Sequence, residues 1–242
     1  MNILLWLSKF KHNPKLAGIR KYTNLLYYDP GFVTIDLTKF DIIETDGYRF
    51  YVTDQINMNR RVIGNSWFEG VRSTDIVVDI GANIGAITIP LAKVARKVYA
   101  VEPLYYEELE ANVKLNGLNN VEILKCGIGE ASEIEIDFAG RKRTALLIPF
   151  SVLKERIGEQ INFLKMDGEG CEWGIEPSEL KSIRELRMEF HIPRGAVKEH
   201  MVKYEEYLGW MKTEGYDVHI SFVEVGPNPY FKLYPEVRAT LK

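Results

Sequence analysis

The chain has 242 residues, 46% of them hydrophobic and 27% charged, which suits one α/β domain with a modest appendage. Its 31 basic and 34 acidic side chains leave a formal charge of −3, so no overall basic excess advertises nucleic acid. Two cysteines, Cys126 and Cys171, exclude a disulfide scaffold and a four-cysteine zinc site, and they point to reduced thiols and a cytoplasmic setting.

No span is long and apolar enough to cross a bilayer. The apolar run Ile3-Leu4-Leu5-Trp6-Leu7 lacks a leading cationic region and makes a poor signal peptide. Residues 1–28 carry Lys9, Lys11, Lys15, Arg20 and Lys21 and no acid. They read as a helix packing its apolar side on the body, with a partner or membrane-surface contact as the other use of such a segment. Residues 1–53 are expected to form an extension, and residues 54–242 the main domain.

In chain order, residues 31–53 carry β-branched and aromatic residues around Asp46-Gly47, a hairpin signal in which Gly47 supplies the positive φ of the turn. Residues 54–73 read as a connecting, partly helical stretch. Ile76-Val77-Val78 is the continuous apolar run of a strand covered on both faces. Ile84, Ile87, Leu91 and Val94 then fall at helical spacing, with Pro90 bending the helix or marking its first turn. Val98-Tyr99-Ala100-Val101 is the next buried strand. Residues 104–116 are a helix, with Glu107, Glu108 and Glu110 near its start, Lys114 near its end and Gly117 as the residue past it. A strand at 121–124, a hairpin pairing 133–138 with 144–148, a short helix near 151–157 and a strand at 161–166 follow.

Residues 186–190 form another strand, and Val197, Met201, Tyr204, Leu208 and Met211 stripe a long helix running to Gly215. Two last strands, 217–225 and 230–236, are joined by Gly226-Pro227-Asn228-Pro229 as an antiparallel hairpin. The βαβαβ opening calls for a doubly wound, mostly parallel sheet with right-handed crossovers. Such sheets bind ligands at the carboxyl ends of their strands, where the strand order reverses.

The most informative stretch is Val78-Asp79-Ile80-Gly81-Ala82-Asn83-Ile84-Gly85, which leaves a buried strand and enters a helix. Gly81 allows a tight turn and close backbone approach to a ligand. Asn83 tolerates left-handed φ, and Gly85 lets the helix pack closely on the sheet. Asp79 can order the loop or accept a bond from a ligand amine. Glu102, at the tip of the second strand, can accept both hydroxyls of a ribose, so an adenosine-containing cofactor is expected. The register does not match the G-x-G-x-x-G of dinucleotide sites.

A strand–loop–helix reading D-x-G-x-N-x-G resembles motif I of class I S-adenosylmethionine-dependent methyltransferases, whose Rossmann-like sheet ends with one inserted antiparallel strand. The fourth strand ends in Lys165-Met166-Asp167-Gly168-Glu169-Gly170-Cys171-Glu172. With motif I this resembles the FkbM family, which typically shows F-x-K-x-D-x-E-G-x-E; here Phe163, Lys165, Asp167, Glu169, Gly170 and Glu172 match. The resemblance covers roughly residues 46–191, and Gly168 and Cys171 depart from the usual Val and Ala.

The resemblance implies S-adenosylmethionine as cofactor. Asp79, Gly81, Ala82, Asn83 and Gly85 would line its methionine end, and Glu102 with Pro103 would hold the ribose. Cys126, Gly127 and Ile128 would lie by the adenine, and Asp167 would face the cofactor amine or the acceptor. Lys165, Glu169 and Glu172 could equally be solvated or paired.

Strand alternation puts Arg187, Glu189 and His191 on one face, and similar FkbM sequences also carry E-x-H here. An ordinary histidine titrates near neutrality, so His191 is expected as base or acceptor-positioning residue, with Glu169 and Glu189 as companion catalytic carboxylates. Asp167, Glu169, Glu189 and His191 form an O/N-rich set, but their spacing is not diagnostic and no metal is expected.

The expected reaction is O-methylation of a hydroxyl on a small-molecule acceptor such as a sugar, polyketide or related metabolite. RNA base methylation is the alternative, with the N-terminal cations and Arg141-Lys142-Arg143 as phosphate contacts. Against it, base N-methylators usually carry N-P-P-Y or D-P-P where this chain has Asp167-Gly168-Glu169-Gly170. A non-catalytic cofactor-binding module is a further alternative.

Overall fold

The computed structural model describes residues 41–52, 66–138, 141–223 and 230–242. The cationic N-terminal segment, most of the connector expected at 54–73 and the Gly226–Pro229 turn lie outside these residues. Among the described residues no helix is long and apolar enough to cross a membrane.

The hairpin at Asp46-Gly47 forms from β1 (Ile42–Thr45) and β2 (Tyr48–Tyr51), with both turn residues at positive φ. The main sheet then opens with β3 (Ile76–Ile80), helix α1 (Thr88–Val94), β4 (Lys97–Val101), helix α2 (Tyr106–Leu115) and β5 (Val121–Leu124). A short strand β6 (Gly127–Ile128), the hairpin β7 (Ser132–Phe138) and β8 (Arg141–Ile148), and helix α3 (Phe150–Ile157) lead back to β9 (Phe163–Met166). The remainder is β10 (Glu185–Glu189), β11 (Ile192–Pro193), helix α4 (Val197–Thr213), β12 (Tyr216–Val223) and β13 (Phe231–Leu241).

The sheet runs β5-β4-β3-β9-β10-β13, with β12 on the far side of β13. The pairs from β5 to β10 are parallel, whereas β13 runs antiparallel to both β10 and β12. The seventh major strand is thus inserted between the fifth and the sixth. That is the doubly wound Rossmann-like arrangement of class I methyltransferases. The strand order reverses between β3 and β9, so their carboxyl ends form the switch-point crevice.

Both faces are covered, as the unbroken apolar strands require. Ile76, Val78, Ile80, Leu164, Met166, Leu186 and Met188 face α3 and α4, where Tyr204, Tyr207 and Met211 pack. Val77, Val98 and Phe163 face α1. The stripe expected on α4 is buried or part-buried, with Tyr207 added to it.

The first helix differs from expectation. Ile84 and Ile87 are buried but precede it, because residues 81–86 are spent on the crevice loop. Pro90 therefore lies in its first turn, and Val94, at its last position, is 44% exposed.

The β1–β2 hairpin is packed into the body. Phe50 is fully buried against Ile84, Ala86, Ile89, Leu104 and Tyr105. Its free strand edge is satisfied by side-chain amides of α2 and its C-cap: the Tyr51 N–H donates to Asn112 Oδ1 (2.9 Å), and the Arg49 N–H to Asn116 Oδ1 (3.0 Å). Asn112 also donates to the Ile84 carbonyl at 2.9 Å, which ties the hairpin to the crevice loop. Two asparagines four residues apart stand one above the other on a helix, so α2 presents them like a strand edge. Asn112→Ala should orphan one buried and one part-buried backbone group and cost about 1–3 kcal/mol. Denaturant unfolding checks the cost, and faster amide exchange at Tyr51 checks its location.

Candidate active site at the switch point

The two carboxyl strand ends meet in van der Waals contact. A Cβ on Gly81 would lie 1.8 Å from the Asp167 carbonyl oxygen, and Gly81 has a φ of +72°. Only glycine satisfies both conditions. The loop then wraps across the end of β4: the Gly81 and Ala82 N–H groups donate to the Val101 carbonyl at 3.0 and 3.2 Å. The Asn83 N–H donates to Glu102 Oε2 at 2.7 Å. Asn83 has a φ of 50°, in the left-handed region that its residue type tolerates. Gly85 permits a close approach to Leu109 of α2 rather than to the sheet, since a Cβ there would lie 2.9 Å from Leu109 Cδ1.

Asp79 is fully buried. Its Oδ2 accepts from Thr88 Oγ1 at 2.6 Å, and its Oδ1 faces the Lys165 ammonium at 3.0 Å as a charge contact rather than an aligned hydrogen bond. Lys165, left open in the sequence as solvated or paired, is buried. It donates to the Ile80 carbonyl at 3.1 Å and to that of Gly81 at 2.8 Å. Burial alone would pull its pKa down, but Asp79 first, then Asp167 and Glu102, outweigh that and raise it. Asp79 therefore orders the loop. Removing one member of such a buried pair typically costs about 3–5 kcal/mol, because the other charge is left uncompensated.

Glu102 is 5% exposed. Its Oε1 accepts from the Leu104 and Tyr105 N–H groups at 2.7 and 3.0 Å, which fills that oxygen. Oε2 takes the Asn83 N–H and keeps one lone-pair direction. Burial is the main cause of its raised pKa, and the three backbone donors oppose the rise. Pro103 is part-buried beside it. Cys126 and Ile128 turn their side chains into the core, and Gly127 abuts Leu147 and Pro103. Any ligand contact from this segment is therefore made by backbone.

On the β9 side, the loop after Asp167 folds back through Glu169 (φ 57°) and Gly170 (φ 110°) into a 3-10 turn at Cys171–Gly174. The two departures from the family pattern turn out to be coupled. A Cβ on Gly168 would lie 2.3 Å from Cys171 Sγ, so the thiol fills the volume that a larger residue 168 would need. Burial pushes the Cys171 thiol well above its ordinary pKa, consistent with a packing role.

His191 is 1% exposed and sits just past β10, edge-on to the rings of Phe231 and Tyr234 at 5.0 and 5.1 Å. Glu172, which the sequence left open, is also buried, and it holds His191. Its Oε1 accepts the His191 N–H at 2.5 Å and faces Nδ1 at 3.2 Å, while Oε2 accepts the Gly170 N–H at 3.1 Å. The Trp173 indole donates to the His191 carbonyl at 2.9 Å. The other ring edge, Nε2, looks at Glu169 (3.5 Å), Asp167 (3.7 Å) and Glu189 (3.9 Å).

These contacts correct the expectation of ordinary titration at His191. Burial would lower its pKa, but the Glu172 bond and the surrounding carboxylates outweigh that and raise it to about 9. At neutral pH the ring is an imidazolium, a donor and not a base. Burial, then Asp167, pushes Glu189 up to about 8, so it too is largely protonated. Glu169 is raised, mainly by burial, and its side chain remains 44% exposed at the rim.

The structure thus gathers Asp79, Gly81, Asn83, Glu102 and Asp167 at one crevice, with His191, Glu169 and Glu189 on its rim. Sequence reading missed the buried roles of Lys165 and Glu172. Their place in the F-x-K-x-D-x-E-G-x-E run was the available signal. Arg143, considered as a phosphate contact, is already engaged: it bonds Glu107 at 2.8 Å and stacks on Tyr106 at 4.5 Å. The Arg141 side chain lies outside the described residues.

No family model matches the chain. It is 27% identical over 119 residues to a probable ribosomal RNA small subunit methyltransferase A of Methanosphaera stadtmanae, covering 48% of this chain and 41% of that protein. It is 53% identical over 51 residues to the tRNA(Phe) (4-demethylwyosine(37)-C(7)) aminocarboxypropyltransferase of Methanocaldococcus jannaschii, covering 19% of this chain and 20% of that protein. The chain therefore spans well under half the length of the curated relatives it matches. Among solved structures, M. jannaschii TYW2 in complex with AdoMet superimposes with a TM-score of 0.47 at 19% identity, covering 84% of this chain and 87% of that one.

Two expectations follow. Gly168→Val alone should destabilise the protein by about 1–3 kcal/mol through overpacking, and Cys171→Ala in the same chain should recover most of the loss. A double-mutant cycle by denaturant unfolding reads this coupling. In chelator-treated protein, the stability that His191 supplies should be complete below its ordinary pKa of 6.5 and be lost as pH rises through about 9. Glu189, raised from 4.5 to about 8, acts in the same direction. The melting temperature should therefore fall across this window, and His191→Gln should flatten the fall between pH 6.5 and 9.

Proposed function

We propose that the protein is an S-adenosylmethionine-dependent methyltransferase. The observation that carries this reading is the crevice itself. A glycine-bearing loop at the switch point is closed against Asp167, with the buried Glu102 carboxylate one strand over and one lone pair of its Oε2 left to accept a sugar hydroxyl. The AdoMet named with TYW2, and the methyl transfer named for the M. stadtmanae relative, are in keeping with it.

In this reading the donor brings an already activated sulfonium methyl, and the chain binds and aligns. Transfer is an in-line displacement, so holding acceptor, carbon and sulfur in one line is the main contribution. Asp79 and Lys165 hold the loop, Glu102 holds the sugar, and Asp167 reaches the donor's amine or the acceptor. Glu169 accepts the acceptor's proton, and His191, as an imidazolium, holds the rim carboxylates in place.

For the acceptor we put RNA ahead of a small hydroxylated metabolite, because both named curated relatives act on RNA. The metabolite reading, expected from the sequence, keeps one specific support. The loop after β9 presents Asp167-Gly168-Glu169-Gly170 where base methylators usually carry N-P-P-Y or D-P-P. The FkbM resemblance belongs with that second reading.

Calorimetry should show S-adenosylhomocysteine binding and no NAD binding. Glu102→Gln should weaken that binding by about 1–3 kcal/mol, since an amide nitrogen cannot accept the bonds the carboxylate oxygens take. Labelled methyl transfer to total RNA, in parallel with a panel of hydroxylated metabolites, decides the acceptor. Binding without transfer to any of them would leave a non-catalytic module.

A further inference from the structure

We propose that His191, Asp167 and Glu169 form a binding site for one divalent cation of the Mg²⁺/Mn²⁺ class at the mouth of the crevice. One ligand atom from each of the three lies within 4.8 Å of the others. Asp167, Glu169 and Glu189 stand 3.7, 3.5 and 3.9 Å from His191 Nε2. A charge-assisted N–H···O bond closes to about 2.7–2.9 Å, and none of the three does so. Ligands sharing one ion at about 2.1 Å each lie roughly 3.0 Å apart at right angles and about 4.2 Å apart when opposed. The observed distances fall inside that interval.

The opposite edge of the ring supports the same assignment. A metal-binding histidine characteristically hands its second ring N–H to a carboxylate, which fixes the tautomer and aims the free nitrogen. Glu172, fully buried and itself held by the Gly170 N–H, stands 3.2 Å from Nδ1 in that role. His191 is clamped further by the Trp173 indole and by the rings of Phe231 and Tyr234, so Nε2 is fixed in direction, and the ion would displace to solvent the proton that Nε2 carries at neutral pH.

Two carboxylates and one imidazole are a hard, oxygen-rich set suited to Mg²⁺ or Mn²⁺, which keep their remaining positions for water or oxygen ligands. Asp167 and Glu169 are part-exposed, so those positions open toward solvent. The ion would relieve the repulsion between Asp167 and Glu169 and offer its open positions to an acceptor oxygen. That use rests on the methyltransferase reading, whereas the binding of the ion does not.

The test is Mn²⁺ titration of the chelator-treated full chain, followed by electron paramagnetic resonance, with S-adenosylhomocysteine calorimetry on the same sample. The expected result is one Mn²⁺ per chain. Glu169→Gln and Asp167→Asn should each weaken it at least about tenfold, and Glu172→Gln about 10–100-fold. Glu169→Gln lies on an exposed loop, and its circular dichroism verifies that it folds. Absence of Mn²⁺ binding below about 1 mM, or affinity unmoved by Glu169→Gln and Asp167→Asn, overturns the cation site. If S-adenosylhomocysteine still binds in that case, the proposed function stands. Mn²⁺ bound by a chain that ignores S-adenosylhomocysteine would instead retain the cation site and overturn the methyl-donor reading.

Discussion

The ammonium of Lys165 sits at the seam between β3 and β9, sealed from water, with the Asp79 carboxylate on one side and the Ile80 and Gly81 carbonyls on the other. Nearly everything in the crevice hangs from that seam. Asp79 is balanced there and passes the order on to Thr88, at the start of α1. The carbonyls that Lys165 collects belong to the two residues where the loop leaves the strand. With that end tied, Gly81 can press against the Asp167 backbone, and the following N–H groups fall into line with Val101 and Glu102. A charge this deep is tolerable only because it is paired with Asp79 and hydrogen-bonded to two carbonyls, so it acts as a position-setting device more than as net stabilisation.

A second fixed point lies about Glu172. It ties the Gly170 bend, the His191 backbone and the His191 ring to one buried carboxylate. Tyr207 reaches from α4 to the Glu172 carbonyl at 2.9 Å, so the helix covering this face also braces the rim. The two anchors divide the work. In the proposed reading, Lys165 and Asp79 shape the floor where a nucleoside cofactor would lie, and Glu172 and His191 shape the wall against which an acceptor would stand. Asp167 belongs to both, its carbonyl closing the floor and its carboxylate facing His191.

The β1–β2 hairpin adds a third layer. Its docking through Asn112 and Asn116, with Phe50 beneath, places part of the N-terminal extension directly on the crevice loop through Ile84. In the proposed reading, an extension held this way can form part of an acceptor pocket while the cofactor floor stays unchanged.

The local pattern was enough for the strand and helix order, the Asp46-Gly47 turn, the left-handed bend at Asn83 and the convergence of Asp79, Glu102 and Asp167 on one edge. These follow from periodicities of two and 3.6, from backbone preferences of Gly and Asn, and from the rule that parallel strands present their carboxyl ends together. Protonation and pairing were beyond its reach. That His191 is an imidazolium, that Lys165 and Glu172 are buried anchors, and that Gly168 and Cys171 compensate each other depend on which side chains distant strands bring within about 4 Å, and in how little water. Sequence spacing carries the chain's local geometry, whereas charge state and packing are properties of the assembled neighbourhood.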